Sequence, residues 1–336
     1  MNFNDRIFSY YNEIKELNRG NFPYPRFLAL YPTNMCQFNC IFCDYKELNS
    51  CTPKELSRVE WTYILDTFKR LGGEAVGLAG GGEPLMLSTI EDFLAYANKI
   101  GLKIGIVTNG LNIDKNNKSR LYNLLLETCS YVRISFESGS SEVFKMIKGK
   151  DRFNKILDNV SEFIKDKSKE LQVSYKYTIP CTCIINDIEK AIRIADDNGF
   201  YSIQFKAVCN TNEKLNSNDR AFFKKYINSI VTKNVKVVCD LDEYKKESNG
   251  CNICGIQTLI DYYGDVYLCC YYRHRLKDHK IGNIFKTKYE DIWVSYEHYK
   301  KAMEVDFIKC NLYDCRYIKY DSIMQDVIKT GYLSFI

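Results

Sequence analysis

Tyr31-Pro-Thr-Asn-Met-Cys36-Gln-Phe-Asn-Cys40-Ile-Phe-Cys43 is the stretch from which the fold of this chain can be read. It sets three cysteines at C-x3-C-x2-C spacing directly after residues 27–31, a run with strand character. Three thiolates on one short loop can ligate three irons of a cubane and leave the fourth iron open to a ligand from outside the protein. The competing reading is a structural zinc site. Zinc ordinarily closes with a fourth ligand, and none of the three histidines, His274, His279 and His298, is near in sequence.

Outward from this loop, β-rich runs alternate with amphipathic helical stretches. The runs are 27–31, 75–79, 103–108, 131–136, 173–179 and 202–208, and the helical stretches are 60–70, 90–100, 120–128, 153–165 and 187–198. Strict alternation predicts a parallel sheet with helices outside it. Six units fall short of an eight-unit barrel, so the expected fold is α/β: a partial (β/α)6 TIM-like barrel over residues 26–232, behind an N-terminal extension of residues 1–25. In such sheets the chemistry gathers at the carboxyl ends of the strands. A polar helical stretch, 212–232, leads to a small α+β module at residues 233–336. There 258–263 and 266–269 flank Gly264-Asp265 as a hairpin, and 289–304 reads as a helix.

Composition excludes several function classes. The charge of +5, from 47 basic and 42 acidic residues, is too small and too evenly spread for a nucleic-acid binder. Residues 1–11 carry Asn2, Asn4, Asp5 and Arg6 where a signal peptide would need apolar residues. No apolar run approaches a membrane span, so a cytoplasmic protein with no membrane partner is expected. The unusual figure is 15 cysteines. Most fall into tight groups, which in a reducing compartment read as metal or iron–sulfur ligands rather than disulfides. Cys51, Cys129, Cys181, Cys183, Cys209 and Cys239 are scattered and read as small buried hydrophobes.

Four further motifs follow the cysteine loop in order, each closing a separate strand: Gly80-Gly81-Gly82-Glu83-Pro84, Thr108-Asn109-Gly110, Ser135-Phe136-Glu137-Ser138-Gly139 and, on the sixth run, Gln204-Phe205-Lys206. With Phe42 ahead of the third cysteine, this series resembles the radical S-adenosylmethionine (SAM) superfamily over about residues 26–210. The resemblance implies that Cys36, Cys40 and Cys43 hold a 4Fe–4S cluster whose open iron is chelated by SAM. It implies that reductive cleavage of SAM yields a 5′-deoxyadenosyl radical. It also implies that Phe42, Gly81, Gly82, Glu83, Asn109, Ser135 and Glu137 contact SAM. A reducing partner such as flavodoxin or ferredoxin is implied as electron donor.

Cys254-x9-Gly264-x4-Cys269, with Cys310-x4-Cys315 downstream, resembles the auxiliary-cluster module called SPASM, or Twitch when shortened. That resemblance implies one auxiliary 4Fe–4S cluster on Cys254, Cys269, Cys310 and Cys315, with Cys251 and Cys270 as alternatives. Cys251-x2-Cys254-x14-Cys269 also resembles the three-cysteine site of the GTP cyclase of molybdenum-cofactor synthesis, although the chain lacks that family's terminal glycine pair and ends Leu333-Ser334-Phe335-Ile336.

A second cluster suits removal of an electron from a substrate radical. The expected function is therefore net oxidation of a small polar molecule such as a sugar, an aminocyclitol or a nucleotide-like compound. The alternatives are peptide maturation, redox-neutral epimerisation or dehydration, and the cyclase. The roughly 25 residues before the first strand are too few for a leader-binding domain, which favours the small substrate over a peptide. Lys206, Lys176 and Arg133 are candidate catalytic residues, and strand register decides which of them faces inward. The basic loop from Arg273 to Lys280 reads as a solvated loop, or as a phosphate or carboxylate site.

Overall fold

The computed structural model describes residues 7, 9–45, 52–208, 213–312 and 315–330. Cys51, Cys209, the first residue of the polar helical stretch, the side chain of His274 and the terminal residues 333–336 lie outside the described residues. The chain divides into two compact units. One is Leu30–Thr62 with Val76–Glu243; the other is Met1–Ala29 with Tyr63–Ala75 and Tyr244–Ile336.

After β1 (Phe27–Leu30), of which only Leu30 belongs to the larger unit, that unit is built on strands in sequential order: β2 (Ala75–Leu78), β3 (Lys103–Thr108), β4 (Cys129–Ser135), β5 (Gln172–Ile179), β6 (Ser202–Ala207) and β7 (Lys236–Asp240). The pairs from β3 to β7 are parallel. Helices Arg58–Arg70, Ile90–Lys99, Ser119–Thr128, Phe153–Asp166 and Ile185–Asp197 follow the strands as the alternation predicts. Two elements were not legible. Helix Ser141–Lys148 follows directly on the Ser138-Gly139-Ser140 stretch, and it stops at Gly149, whose φ of 77° is the left-handed value glycine tolerates. Residues 236–240, which the sequence reading places in the C-terminal module, instead pair parallel with β6 as a seventh strand.

Alternation along the strands separates two faces. On one, Phe136 stacks on Tyr175 at 4.4 Å, Phe200 meets Tyr175 at 5.3 Å, and Tyr177 meets Phe205 at 5.4 Å. These rings fill the layer beneath the helices. The other face therefore carries Arg133 and Ser135 of β4, Ser174, Lys176 and Thr178 of β5, and Ser202, Gln204 and Lys206 of β6. The Ser202 hydroxyl donating to Ser174 at 2.9 Å agrees.

In the smaller unit, β8 (Gln257–Ile260) and β9 (Asp265–Tyr267) form the expected antiparallel hairpin around Gly264, and β10 (Lys280–Asn283) joins it on β9. The single helix expected over 289–304 is two helices, Tyr289–Trp293 and Tyr296–Met303. Ser295 divides them, because its hydroxyl accepts from the His298 amide at 3.1 Å and starts the second as an N-cap. Helices Tyr11–Asn18 and Ile318–Thr330 share a core in which Ile14, Leu17, Ile253, Ile256 and Met324 are buried.

A buried carboxylate clamps the motif that closes β4. Asp187 accepts from the Gly139 amide at 2.6 Å, the Ser140 hydroxyl at 2.6 Å and the Tyr177 hydroxyl at 2.8 Å. Asp187→Ala strands two buried donors and a half-buried one at once. It should lower the stability of the apo protein by about 3 kcal/mol, read as a lower urea midpoint with an unchanged slope.

Candidate active site

The cysteine loop is pinned from two sides. Gly82 N donates to Thr33 O at 2.8 Å and Glu83 N to Met35 O at 2.7 Å, so the turn closing β2 holds the residues leading to Cys36. From the other side, Asn39 N donates to Lys148 O at 3.4 Å and Ile41 N to Ile147 O at 3.0 Å, tying the loop to the end of helix Ser141–Lys148. A Cβ on Gly82 would stand 2.1 Å from Met35 O. Glycine is required there by contact with the cysteine loop itself.

The Glu83 carboxylate, 4% exposed, accepts from the Thr108 hydroxyl at 2.5 Å, the Asn109 amide at 2.7 Å and the Leu85 amide at 3.1 Å, joining the turns that close β2 and β3. Burial pushes its pKa up. Asn109 then reaches the loop, its side-chain amide donating to the Gln37 side-chain Oε1 at 2.9 Å. Glu83 and Asn109, expected from the resemblance as SAM contacts, thus also hold the cysteine loop and the two strand ends in register.

Glu137 closes β4 in the left-handed region, with φ 65°, and is the only described non-glycine residue with positive φ. Its carboxylate accepts from the Lys176 ammonium at 2.7 Å and from the Thr178 amide. Burial alone would raise its pKa, but Lys176 and Lys148 hold it below the ordinary carboxylate range. Lys148 carries no signal in the sequence beyond ending a helix. It is 3% exposed, donates to Ser135 O at 2.7 Å and lies over the Phe38 ring at 5.8 Å. Burial disfavours its charge, yet Cys40, Glu137, Cys36 and Glu83 raise its pKa.

Cys36, Cys40 and Cys43 are free and half-buried on this pinned loop, and Phe42 between them is half-buried too. Burial pushes the Cys36 thiol up to about 11, helped by Glu83 and by the two neighbouring cysteines. Three thiols carried on one pinned loop supply the donor set that a cubane takes, one sulfur for each of three irons.

On the inner face of the sheet all three candidate catalytic residues stand together, because Arg133, Lys176 and Lys206 occupy the same alternation phase of adjacent strands. Lys176 is engaged by Glu137, and Lys206 faces Asp240 of β7 at 3.5 Å. Asp240 was missed from the sequence because β7 was. Gln204, between Lys176 and the β7 edge, is 4% exposed and its Oε1 is buried without a hydrogen-bond partner.

The second thiol group lies within the smaller unit. Cys254, Cys269, Cys310 and Cys315 are buried, and Cys251 joins them, close enough to Cys254 to hydrogen-bond to it and raise its pKa. Cys315 donates to Cys310, which brings the Cys310 thiol down to about 6. Cys270 turns elsewhere, with Arg316 at 3.8 Å and the Tyr317 hydroxyl at 4.0 Å. His298 bridges Trp293 O at 2.7 Å and Cys254 O at 3.0 Å, fixing the turn that carries Cys254. The basic loop is not solvated at Arg275 and His279: both are buried and directed at this group, His279 Nδ1 lying 3.4 Å from Cys269 Sγ.

A family model described as the radical SAM superfamily matches residues 30–197. The chain belongs to this superfamily. A second model, an iron–sulfur cluster-binding domain of the SPASM type, matches residues 251–317. The protein therefore uses a SAM-chelated 4Fe–4S cluster and carries an auxiliary iron–sulfur module. Similar proteins include the AdoMet-dependent heme synthase of Oleidesulfovibrio alaskensis, 27% identical over 46% of this chain and 39% of that protein. Another is the GTP 3′,8-cyclase of Psychromonas ingrahamii, 26% identical over 44% of this chain and 43% of that protein. The chain thus spans about two fifths of the length of these curated relatives. Among solved structures, Streptococcus suis SuiB bound to the precursor peptide SuiA has the same fold, with a TM-score of 0.69 at 17% identity over 85% of this chain and 68% of that one. Among the described residues no helix is long and apolar enough to cross a membrane.

Gly82→Ala tests the pinned loop of this radical SAM enzyme. The colliding methyl should displace the residues leading to Cys36, leaving about half the iron of the wild type, since only the auxiliary cysteines keep their geometry. Iron analysis reads the loss, and 5′-deoxyadenosine release in the presence of dithionite should fall with it.

Proposed function

We propose that the enzyme abstracts a hydrogen atom from a small polar substrate at the carboxyl ends of β4–β7 and completes a net two-electron oxidation, with one auxiliary 4Fe–4S cluster on Cys254, Cys269, Cys310 and Cys315. When bound, the first cubane and SAM supply the radical that takes the hydrogen atom, and the auxiliary cubane supplies the acceptor for one electron. A low-potential reductant such as flavodoxin or ferredoxin serves as donor. The observation that carries the reading is the charged and polar row on the inner face, with the orphaned Oε1 of Gln204 in its middle. A substrate hydroxyl or amine would donate to that oxygen and remove the cost of leaving it dry.

The remaining proton needs an acceptor in the chain. Asp240 serves as that acceptor in this reading, with Lys206 beside it to orient a polar group. Lys176 has a different task, keeping the buried Glu137 charged at the end of β4. Arg133 stands opposite Ser174, one inward-facing pair below the Ser135–Lys176 pair. A second reading is modification of a peptide, which the peptide bound by SuiB on the same fold favours.

Anaerobically reconstituted protein should carry about eight irons, and a Cys36, Cys40 and Cys43 triple Ala variant about four, with SAM cleavage abolished. A parent with only four irons would contradict the two-cluster reading. With substrate in hand, mass spectrometry should find a product lighter by two hydrogens, formed about one to one with 5′-deoxyadenosine. Asp240→Asn should slow product formation by about 100-fold while SAM cleavage continues. An unchanged product rate would remove Asp240 from the reaction, and a redox-neutral product would remove the oxidation.

A further inference from the structure

Arg275 begins as part of a basic run on the surface of the sequence and ends as one of the most enclosed cations in the smaller unit, 3% exposed. Its neighbours in the run are tied off outside. Lys280 pairs with Asp265 at 2.6 Å, and Lys301 donates to the carbonyls of Lys277 and Lys280 at 3.0 and 2.7 Å. With the segment anchored this way, Arg275 points inward. Its Nε donates to Tyr271 O at 3.1 Å, which aims the planar guanidinium, and its Nη1 donates to Cys310 Sγ at 3.2 Å. Cys269 and Cys315 also lie within its field and favour its charge. Burying a guanidinium is costly, and the cost is offset only if negative charge faces it. In this enclosure the group that faces it is the Cys310 sulfur.

We propose that Arg275 raises the reduction potential of the auxiliary cluster through its N–H···S hydrogen bond to Cys310, making that cluster a better electron acceptor. The inference rests on the auxiliary-cluster reading above. The physical reason is that one-electron reduction of a 4Fe–4S cubane from its 2+ to its 1+ core adds one negative charge, which is shared with the cysteine sulfurs. A fixed cation at hydrogen-bond distance from one of them stabilises the reduced form more than the oxidised form. Protein groups of this kind, one bond beyond the ligands, are among the main controls on such potentials. His279 approaches a different sulfur, its Nδ1 lying 3.4 Å from Cys269 Sγ.

The test uses the full chain with Cys36, Cys40 and Cys43 replaced by Ala, so that only the auxiliary cluster reports, and follows the EPR signal of the reduced cluster through a mediated redox titration. Arg275→Gln should lower the reduced-to-oxidised ratio at fixed ambient potential about tenfold, a midpoint about 59 mV more negative. Arg275→Lys, which keeps a charge but loses the aimed fork, should shift it less than half as far. Unmoved midpoints in both variants with full iron would overturn the proposal while leaving the cluster intact. Loss of the auxiliary iron in both would also overturn it, because Arg275 would then hold the site together without tuning it. No iron in the parent background would remove the cluster reading itself, and this inference with it.

Discussion

A thiol that is to bind iron must lose its proton, and burial opposes that loss at Cys36, Cys254, Cys269 and Cys315, whereas Cys315 and Arg275 favour it at Cys310. Cys36 is raised by burial and by its own neighbours, and Cys254, Cys269 and Cys315 are raised too. The rest of the structure can be understood as the means of holding several such groups together without paying for it in strain. Backbone hydrogen bonds from the turn closing β2 and from the end of helix Ser141–Lys148 fix the first group. A cation is brought near each group, Lys148 at the first and Arg275 at the second. The two sites reached this arrangement from unrelated elements, one from the end of a helix in the larger unit and one from a loop after a hairpin. The common physics is the field, since a buried anion is tolerable only beside a buried cation.

The motifs at the strand ends have a double character. Glu83 and Asn109 are expected to meet SAM, and both also lace the turns of β2 and β3 to the cysteine loop. Glu137 is held by Lys176 across to β5. Pre-organisation of this kind costs stability in the form of buried polar atoms, and the chain offsets it by pairing the carboxylates at Glu83 and Asp187 several times over. The smaller unit follows the same rule, with Asp321 receiving Lys246 and the Asn252 amide next to the Cys251–Cys254 turn.

Much of this was legible because it is written locally. Strand runs bounded by glycine, the cysteine spacings and the four strand-closing motifs are features of neighbouring residues, and the six expected strands stand within two residues of the observed ones. What was not legible depends on partners distant in sequence. β7 is short and only half-buried, so its alternation carries little signal until β6 is beside it. Asp240 was lost with it. Lys148 looks like any lysine in the last turn of an amphipathic helix, and its inward course is set by Ser135 O and the loop charges. Arg275 and His279 sit in a run whose composition argues for solvent, and only the chain fold turns them toward sulfur. In each case a charge was misplaced because sequence reports its sign and not its surroundings.

The core shared by helices Tyr11–Asn18 and Ile318–Thr330 has a consequence for how the molecule comes into being. Leu17 and Met324 are about three hundred residues apart and pack in one cluster with Ile253 and Ile256, beside the Cys251–Cys254 turn. Contacts so far apart along the chain close late, since the entropy of the intervening loop must be overcome first. During synthesis the larger unit, whose contacts are sequential, can consolidate while the smaller one still waits for its last helix. The thiols of the smaller unit are therefore the last to be gathered, and the order in which a newborn chain acquires its two kinds of iron–sulfur site is imposed by its topology.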